Sequence, residues 1–186
     1  FRELWLDLRL GRIFHYFVIY LFGSVLYSKT REPLQLLNPD FLIQSALYFI
    51  ILTYAAIFAI ATNNQEDLEV DRITNTNRPL VRNAVDPEWY RKTAILSLIV
   101  SCVLAVFTGL IFLFAISGIS LVYYLYSCRP FKLKRFVFLA KFMIGLNSLI
   151  SATCGLYAAG GQPADFPLFW LFFLLIPVSL MANFVD

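Results

Sequence analysis

Uncharged apolar runs at about residues 13–28, 41–62, 93–127, 136–157 and 167–185 leave this 186-residue chain few ways to fold. A run of about 18 or more such residues crosses a bilayer as a helix, because lipid offers no partner to an open backbone N–H or C=O. Composition agrees, with 60% of residues hydrophobic and 15% charged, against about half and about a quarter in soluble domains. The expected fold is all-α, a polytopic transmembrane helical bundle. The basic residues lie between apolar spans rather than on one soluble surface, which excludes a nucleic-acid footprint. Cys102, Cys128 and Cys154 are too widely spaced for a CxxC site, and the two inside apolar runs, Cys102 and Cys154, read as small hydrophobes. His15 cannot build a metal cluster alone and reads as packing near the interface.

The 93–127 run is long enough for one tilted helix or for two helices turning near Thr108–Gly109. Charge placement decides between them. Two helices put twelve basic residues on one side, from Arg2, Arg9 and Arg12 through the loops after the second and fourth spans, and leave only Lys29 and Arg31 opposite. One helix would divide them eight against six. The positive-inside rule selects six spans, at about 13–28, 41–62, 93–108, 111–127, 136–157 and 167–185, with the basic loops cytoplasmic. Residues 1–12 carry five charges and place Phe1, Leu4, Trp5 and Leu8 on one helical face, the pattern of an interfacial helix. A signal peptide is the competing reading, but no small-residue cleavage site follows the apolar stretch. Lys141, a turn into the fifth span, either faces a cavity or snorkels to the interface. The chain opens on Phe1 and ends on Asp186 directly after an apolar run. The expectation is one membrane domain, 1–186, taken from a longer protein and truncated at its C-terminus.

The chemistry is concentrated in NNQEDLEVDRITNTNRPLVR, residues 63–82. Asn63, Asp67 and Asp71 are four residues apart, so on a continuous helix each lies only about 40° round from the last. Three hard oxygen donors would then share one face at the mouth of the second span, the ligand type Mg²⁺ accepts alongside substrate phosphates. Arg72, Arg78 and Arg82 follow, and Pro79 helps end the helix. A second basic group, RPFKLKR, follows the fourth span on the same expected side. Arginine forks and lysine point charges suit phosphate oxygens. A solvated helix end with orientation charges, or basic loops holding anionic lipid, would explain part of this. Acidic residues contribute little to orientation, however, and Glu66, Asp67, Glu69 and Asp71 fall within six positions.

These segments resemble the signatures of the UbiA-type intramembrane prenyltransferases. Asn63, Asp67 and Asp71 with Asn77-Arg78-Pro79-Leu80 resemble the first aspartate signature and its NRPL-like turn. The stretch YSCRPFKLKR, Tyr126 to Arg135, resembles the loop after the family's fourth helix. The closing ANFVD resembles the start of the second aspartate signature. The resemblance covers nearly the whole chain and implies six spans of a nine-helix fold. Asn64 and Asn183 depart from it, standing where the family usually or often has an acidic residue, and the last aspartate of the second signature would lie beyond Asp186.

What the resemblance implies is Mg²⁺-dependent transfer of a polyprenyl group from an allylic diphosphate to a small acceptor. Asn63, Asp67, Asp71 and Asp186 would hold the metal, Asp67, Asp71 and Asp186 acting in catalysis. Arg78, Lys132, Lys134, Arg135 and Arg12 would contact the diphosphate. The family's commonest acceptor is a hydroxylated aromatic ring, as in quinone biosynthesis. Two other classes stay open: a non-catalytic prenyl-lipid-binding relative, suggested by Asn64 and Asn183, and a transporter, disfavoured because the carboxylates sit at a span end rather than at the midplane.

The charge division places Arg78 and Lys134 in the same compartment. Single cysteines at the two positions, in a cysteine-free background, should label from the same side of intact cells. Labelling from opposite sides would make 93–127 one long helix and separate the two basic loops.

Overall fold

The computed structural model describes residues 10–28 and 37–162. The interfacial helix expected at 1–12, apart from its last residues, the sixth span at 167–185, Lys29, Arg31 and Asp186 lie outside them. Among the described residues every regular element is a helix. The elements are α1 (Leu10–Ser28), α2 (Pro39–Glu66), the short α3 (Leu68–Thr74), α4 (Pro87–Thr108), α5 (Leu110–Ser127), a 3₁₀ turn (Leu133–Arg135) and α6 (Val137–Ala158). Five of these helices are long and apolar enough to cross a membrane: α1, α2, α4, α5 and α6.

Local sequence explains where they start and turn. Both α2 and α4 begin before their apolar runs, because each opens on a capping side chain followed by proline. Asn38 accepts from the Asp40 N–H and Asp86 from the Trp89 N–H, with Pro39 and Pro87 in the first helical turn. The 93–127 run is divided at Gly109, whose φ of +141° suits a residue without a Cβ. Its N–H closes α4 on Ala105 O at 2.9 Å, and its carbonyl accepts from Leu113 at 3.2 Å to open α5. The chain reverses there: the start of α4 and the end of α5 both lie beside the end of α2, as the Tyr90–Asn64 and Ser127–Asn63 hydrogen bonds show.

Packing follows what lipid permits. Between helices in a bilayer the hydrophobic effect contributes little, so small residues that let backbones touch matter most. Helix α1 lies along α6 with Gly23 and Gly155 at the contact. A Cβ on Gly23 would stand 2.0 Å from the Ala152 carbonyl oxygen, and one on Gly155 would stand 1.8 Å from that of Tyr20. Helix α4 meets α2 through Ala94, Ser97, Ser101 and Ala105, all buried, and Ser101 Oγ donates to Ile51 O at 3.0 Å. Helix α5 packs on α2, α4 and α6. Two buried tyrosine hydroxyls inside the bundle are matched side chain to side chain. The stacked rings of Tyr20 and Tyr48, 4.4 Å apart, send their hydroxyls to Ser45 and Ser151 at 3.1 and 3.0 Å.

Gly155→Ala should therefore be costly, because the atom struck is backbone and neither helix can yield without moving whole. A loss of about 1–3 kcal/mol is expected, the ordinary range for overpacking. Gly118→Ala, whose new Cβ meets only Ile150 Cδ1 at 3.5 Å, should be neutral or mildly stabilising. Thermal unfolding in detergent compares the two. Equal effects would remove the α1–α6 backbone contact as the reason for glycine.

Candidate active site

The site begins where α2 leaves the bundle. Asp67 departs from helical geometry, at φ −100° and ψ 4°, and α2 is assigned only to Glu66. The expected uninterrupted helix is thus broken at its middle ligand position. The four-residue hydrogen-bond spacing nevertheless runs on: Asp67 N–H to Asn63 O at 3.0 Å, Asp71 to Asp67 at 2.8 Å and Asn75 to Asp71 at 2.8 Å. Asn63, Asp67 and Asp71 consequently still line one wall of a cavity of about 550 Å³. Beyond α3 the chain folds back through Arg78 N–H to Asn75 O at 3.1 Å, and Leu80, buried against Ala61, Tyr90 and Ala94, pins the Asn-Arg-Pro-Leu turn to the bundle.

A further part of the wall comes from the loop after α5. Lys132 takes a left-handed conformation, φ 41° and ψ 51°, and the 3₁₀ turn after it sends Lys132 and Lys134 to one carboxylate. Lys132 Nζ lies 3.2 Å from Asp67 Oδ1 and donates to the Glu66 carbonyl at 3.3 Å, which also caps the end of α2. Lys134 pairs with Asp67 Oδ2 and donates to Asn63 Oδ1 at 2.9 Å. Ser127 donates to the same Asn63 oxygen at 2.9 Å. Burial raises the Asp67 pKa, but the hydrogen bonds and charges of Lys134 and then Lys132 outweigh it and hold the carboxyl below its usual range. A depressed carboxylate contributes stability above its unfolded pKa of about 4, and that contribution is lost as pH falls through the folded value.

Asp71 has its own cation. Only 3% exposed, it pairs with Arg78 and accepts from Asn75 Nδ2 at 3.0 Å. Arg78 also donates to Asn64 Oδ1 at 2.8 Å, and Asn64 Nδ2 donates to the Tyr90 hydroxyl at 3.2 Å. Arg12 and Arg135 complete the cavity wall. The described site residues expected from sequence, Asn63, Asp67, Asp71, Arg78, Lys132, Lys134, Arg135 and Arg12, all border this one cavity. Asp186 lies outside the described residues. Of the other acidic groups after α2, Glu69 pairs with Arg72 at 3.2 Å in solvent, as the solvated-end reading anticipates for it.

Sequence reasoning missed Asn75, Ser127 and Tyr90. Asn75 continues the 63, 67, 71 series by one more step of four and was legible there; Ser127 and Tyr90 reach the site only through tertiary contact. Asn64 is 4% exposed and bonded to Arg78 and Tyr90.

An apolar slot between α1, α2 and α5 adjoins the cavity, lined by Ile13, Leu52, Ala55, Ala59, Ile60 and Ile119 and sharing Arg12, Asn63 and Tyr126 with it. Hard oxygens, cationic donors and an apolar slot thus meet at one end of the bundle. Among the described residues no group of three or more His, Cys, Asp or Glu could hold a metal by itself. The donors of Asn63, Asp67 and Asp71 suit Mg²⁺ as partial ligands, because Mg²⁺ is commonly held by one or two carboxylates with phosphate oxygens and water completing its shell.

Comparison with known proteins bears on the family and the fold. The model of the UbiA prenyltransferase family matches residues 16–186. No curated protein matches the chain. Among solved structures, digeranylgeranylglyceryl phosphate synthase is similar at a TM-score of 0.72 and 22% identity, over 95% of this chain and 59% of that one. A UbiA homologue from Archaeoglobus fulgidus is similar at 0.70 and 20%, over 93% and 58%. The same homologue bound to DMAPP and Mg²⁺ is similar at 0.69 and 21%, over 94% and 59%. The chain therefore spans somewhat under three-fifths of the length of these structures and shares their fold over nearly all of its own. With the family match running from the middle of α1 to the last residue, the chain belongs to the UbiA prenyltransferase family.

Proposed function

We propose that this chain binds an allylic polyprenyl diphosphate with Mg²⁺ and takes part in transferring the prenyl group to a small acceptor, a hydroxylated aromatic ring being the commonest in the family. One observation carries the reading: Asp67 and Asp71 each stand against basic side chains, Lys132 and Lys134 or Arg78, at the head of an apolar slot. A diphosphate needs cations at its head and an apolar course for its tail, and a bundle end at the membrane surface offers both. Mg²⁺, when bound, would neutralise charge developing on the diphosphate as the allylic C–O bond breaks.

The chain's own residues divide the remaining work. Asn63, Asp67 and Asp71 present oxygens along one wall, and Asp186 is proposed to add another from the second signature. Lys134, Arg78, Arg135 and Arg12, all lining the cavity, donate to phosphate oxygens. Lys134 and Arg78 now pair with carboxylates, so a metal–diphosphate complex would exchange those pairings, each carboxylate turning to the metal as its cation turns to phosphate. Lys132 has a different part. At 8% exposure and bonded to the end of α2, it holds Asp67 in place. The slot, about 30 Å³ as it stands, would have to widen to receive the tail, and its apolar lining would then keep water from the allylic cation left by ionisation. The cytoplasmic face is proposed for this site, from the basic loops that converge on it.

Diphosphate release from a prenyl diphosphate, with a panel of acceptors and with or without Mg²⁺, tests the reading. Asp67→Ala should lower turnover on the order of 100-fold or more, because a proposed metal ligand is lost, while the helical circular dichroism is unchanged. Lys134→Ala should raise KM for the diphosphate, whereas Lys132→Ala should chiefly lower thermal stability. Near-normal turnover by a folded Asp67→Ala protein would remove this cavity from the reaction, and identical behaviour of the two lysine variants would remove their division of roles.

A further inference from the structure

Asn64 stands one residue beyond Asn63, about 100° round the helix from the proposed metal-facing wall. Its amide makes two different hydrogen bonds. The oxygen accepts from Arg78 at 2.8 Å, and the nitrogen donates to the hydroxyl of Tyr90, a fully buried ring at the start of α4. Arg78 is thereby fixed from two sides, by Asp71 and by Asn64, at the edge of the polar cavity.

The charge count at this point matters. Among the described residues Arg78 has one carboxylate partner, Asp71, and the second side-chain oxygen it donates to is neutral. An aspartate at 64 would have nearly the same shape and could accept from both Arg78 and the rotatable Tyr90 hydroxyl. It would also bring a second negative charge against the guanidinium, turning a neutral ion pair into a net anion beside the place a diphosphate must occupy. At a partly buried bundle end such a charge is weakly screened.

We infer that Asn64 is a positioning residue: with Tyr90 it aims Arg78 at the diphosphate while adding no negative charge to the one carboxylate, Asp71, that Arg78 pairs with among the described residues, so position 64 sets affinity for the diphosphate and is not a metal-ligand position. The inference rests on the proposed function and assigns a role to the one described residue that departs from the family's first signature. The departure then alters how Arg78 is held, and the proposed metal face of Asn63, Asp67 and Asp71 keeps its donors.

The test uses the purified protein in lipid nanodiscs, titrated calorimetrically with geranyl S-thiolodiphosphate, which resists ionisation, across a series of Mg²⁺ concentrations. Asn64→Asp should weaken binding by about tenfold or more at saturating Mg²⁺, the scale of a compromised charge-assisted contact. Half-saturating Mg²⁺ should not fall. In turnover assays KM should rise while kcat stays within about twofold, as for a residue acting on binding alone. Tyr90→Phe, which removes one hydroxyl and keeps the ring, should shift affinity in the same direction by a smaller factor. Tighter binding by Asn64→Asp, or a lowered Mg²⁺ requirement, would mean that position 64 serves the metal and would overturn the inference. Unchanged affinity in Asn64→Asp would overturn it equally. Should Asn64→Asp lose its helical fold, Tyr90→Phe decides, and wild-type affinity in that variant sinks the positioning role. Wild-type protein that binds no thiolodiphosphate at any Mg²⁺ concentration overturns the proposed function itself, and this inference with it.

Discussion

Lipid supplies no hydrogen bonds, and nearly every feature of this molecule follows from that absence. The backbone of each span must satisfy itself, which makes the spans helices and confines irregular chain to their ends. Chemistry that needs irregular backbone is confined with it. The left-handed Lys132, the bent Asp67 and the Asn-Arg-Pro-Leu turn all lie at one end of the bundle, where α2 and α5 finish and α4 and α6 begin. Within the spans, hydroxyls of Tyr20, Tyr48 and Ser101 are matched across helices. Between α1 and α6, helix contact is achieved by removing side chains, at Gly23 and Gly155.

The polar end is held together by opposite charges whose strength depends on partial burial. Asp67 between two lysines and Asp71 against Arg78 are both largely shielded, unlike the exposed Glu69–Arg72 and Glu88–Lys92 pairs. Exposed pairs of that kind contribute at most about 1 kcal/mol. The shielded pairs are worth more to a site than to a fold. Removing one partner leaves a buried charge uncompensated, whereas a ligand carrying both a cation and an anion can replace both partners together. A magnesium diphosphate has that double character. The same pairing holds the cavity walls in register before any ligand arrives, since Asp67 ties the loop after α5 to the end of α2 and Arg78 ties the turn after α3 to the same helix.

Much of this was legible in the chain before folding was considered. Span lengths and the turn at Gly109 are local, because positive φ and apolar length are properties of a few adjacent residues. The caps at Asn38-Pro39 and Asp86-Pro87 are local too, but apolar runs alone started those spans at about 41 and 93. The step of four from Asn63 to Asp71 places donors on one face for the same reason, and it survives the bend at Asp67 because the hydrogen-bond spacing is kept. The resemblance to a prenyltransferase signature likewise rests on short ordered motifs. Asn64 was less legible: by composition it looked like a lost charge, and its neighbour Asn63 carries the same side chain to a different surface.

By itself the sequence determined that this protein is a helical membrane bundle with carboxylates and basic loops at span ends, since length, period and charge placement act locally or through the bilayer. Only the tertiary structure decided which cation meets which carboxylate. Lys132 and Lys134 are two residues apart and alike in charge, yet one is buried on the end of α2 while the other also reaches Asn63. Arg78 is joined to Asn64, fourteen positions away, and through it to Tyr90. Those choices depend on a left-handed residue, a 3₁₀ turn and the approach of α4 to α2. Pair energies fall off over a few ångströms, a distance that chain folding sets and that no spacing along the sequence encodes.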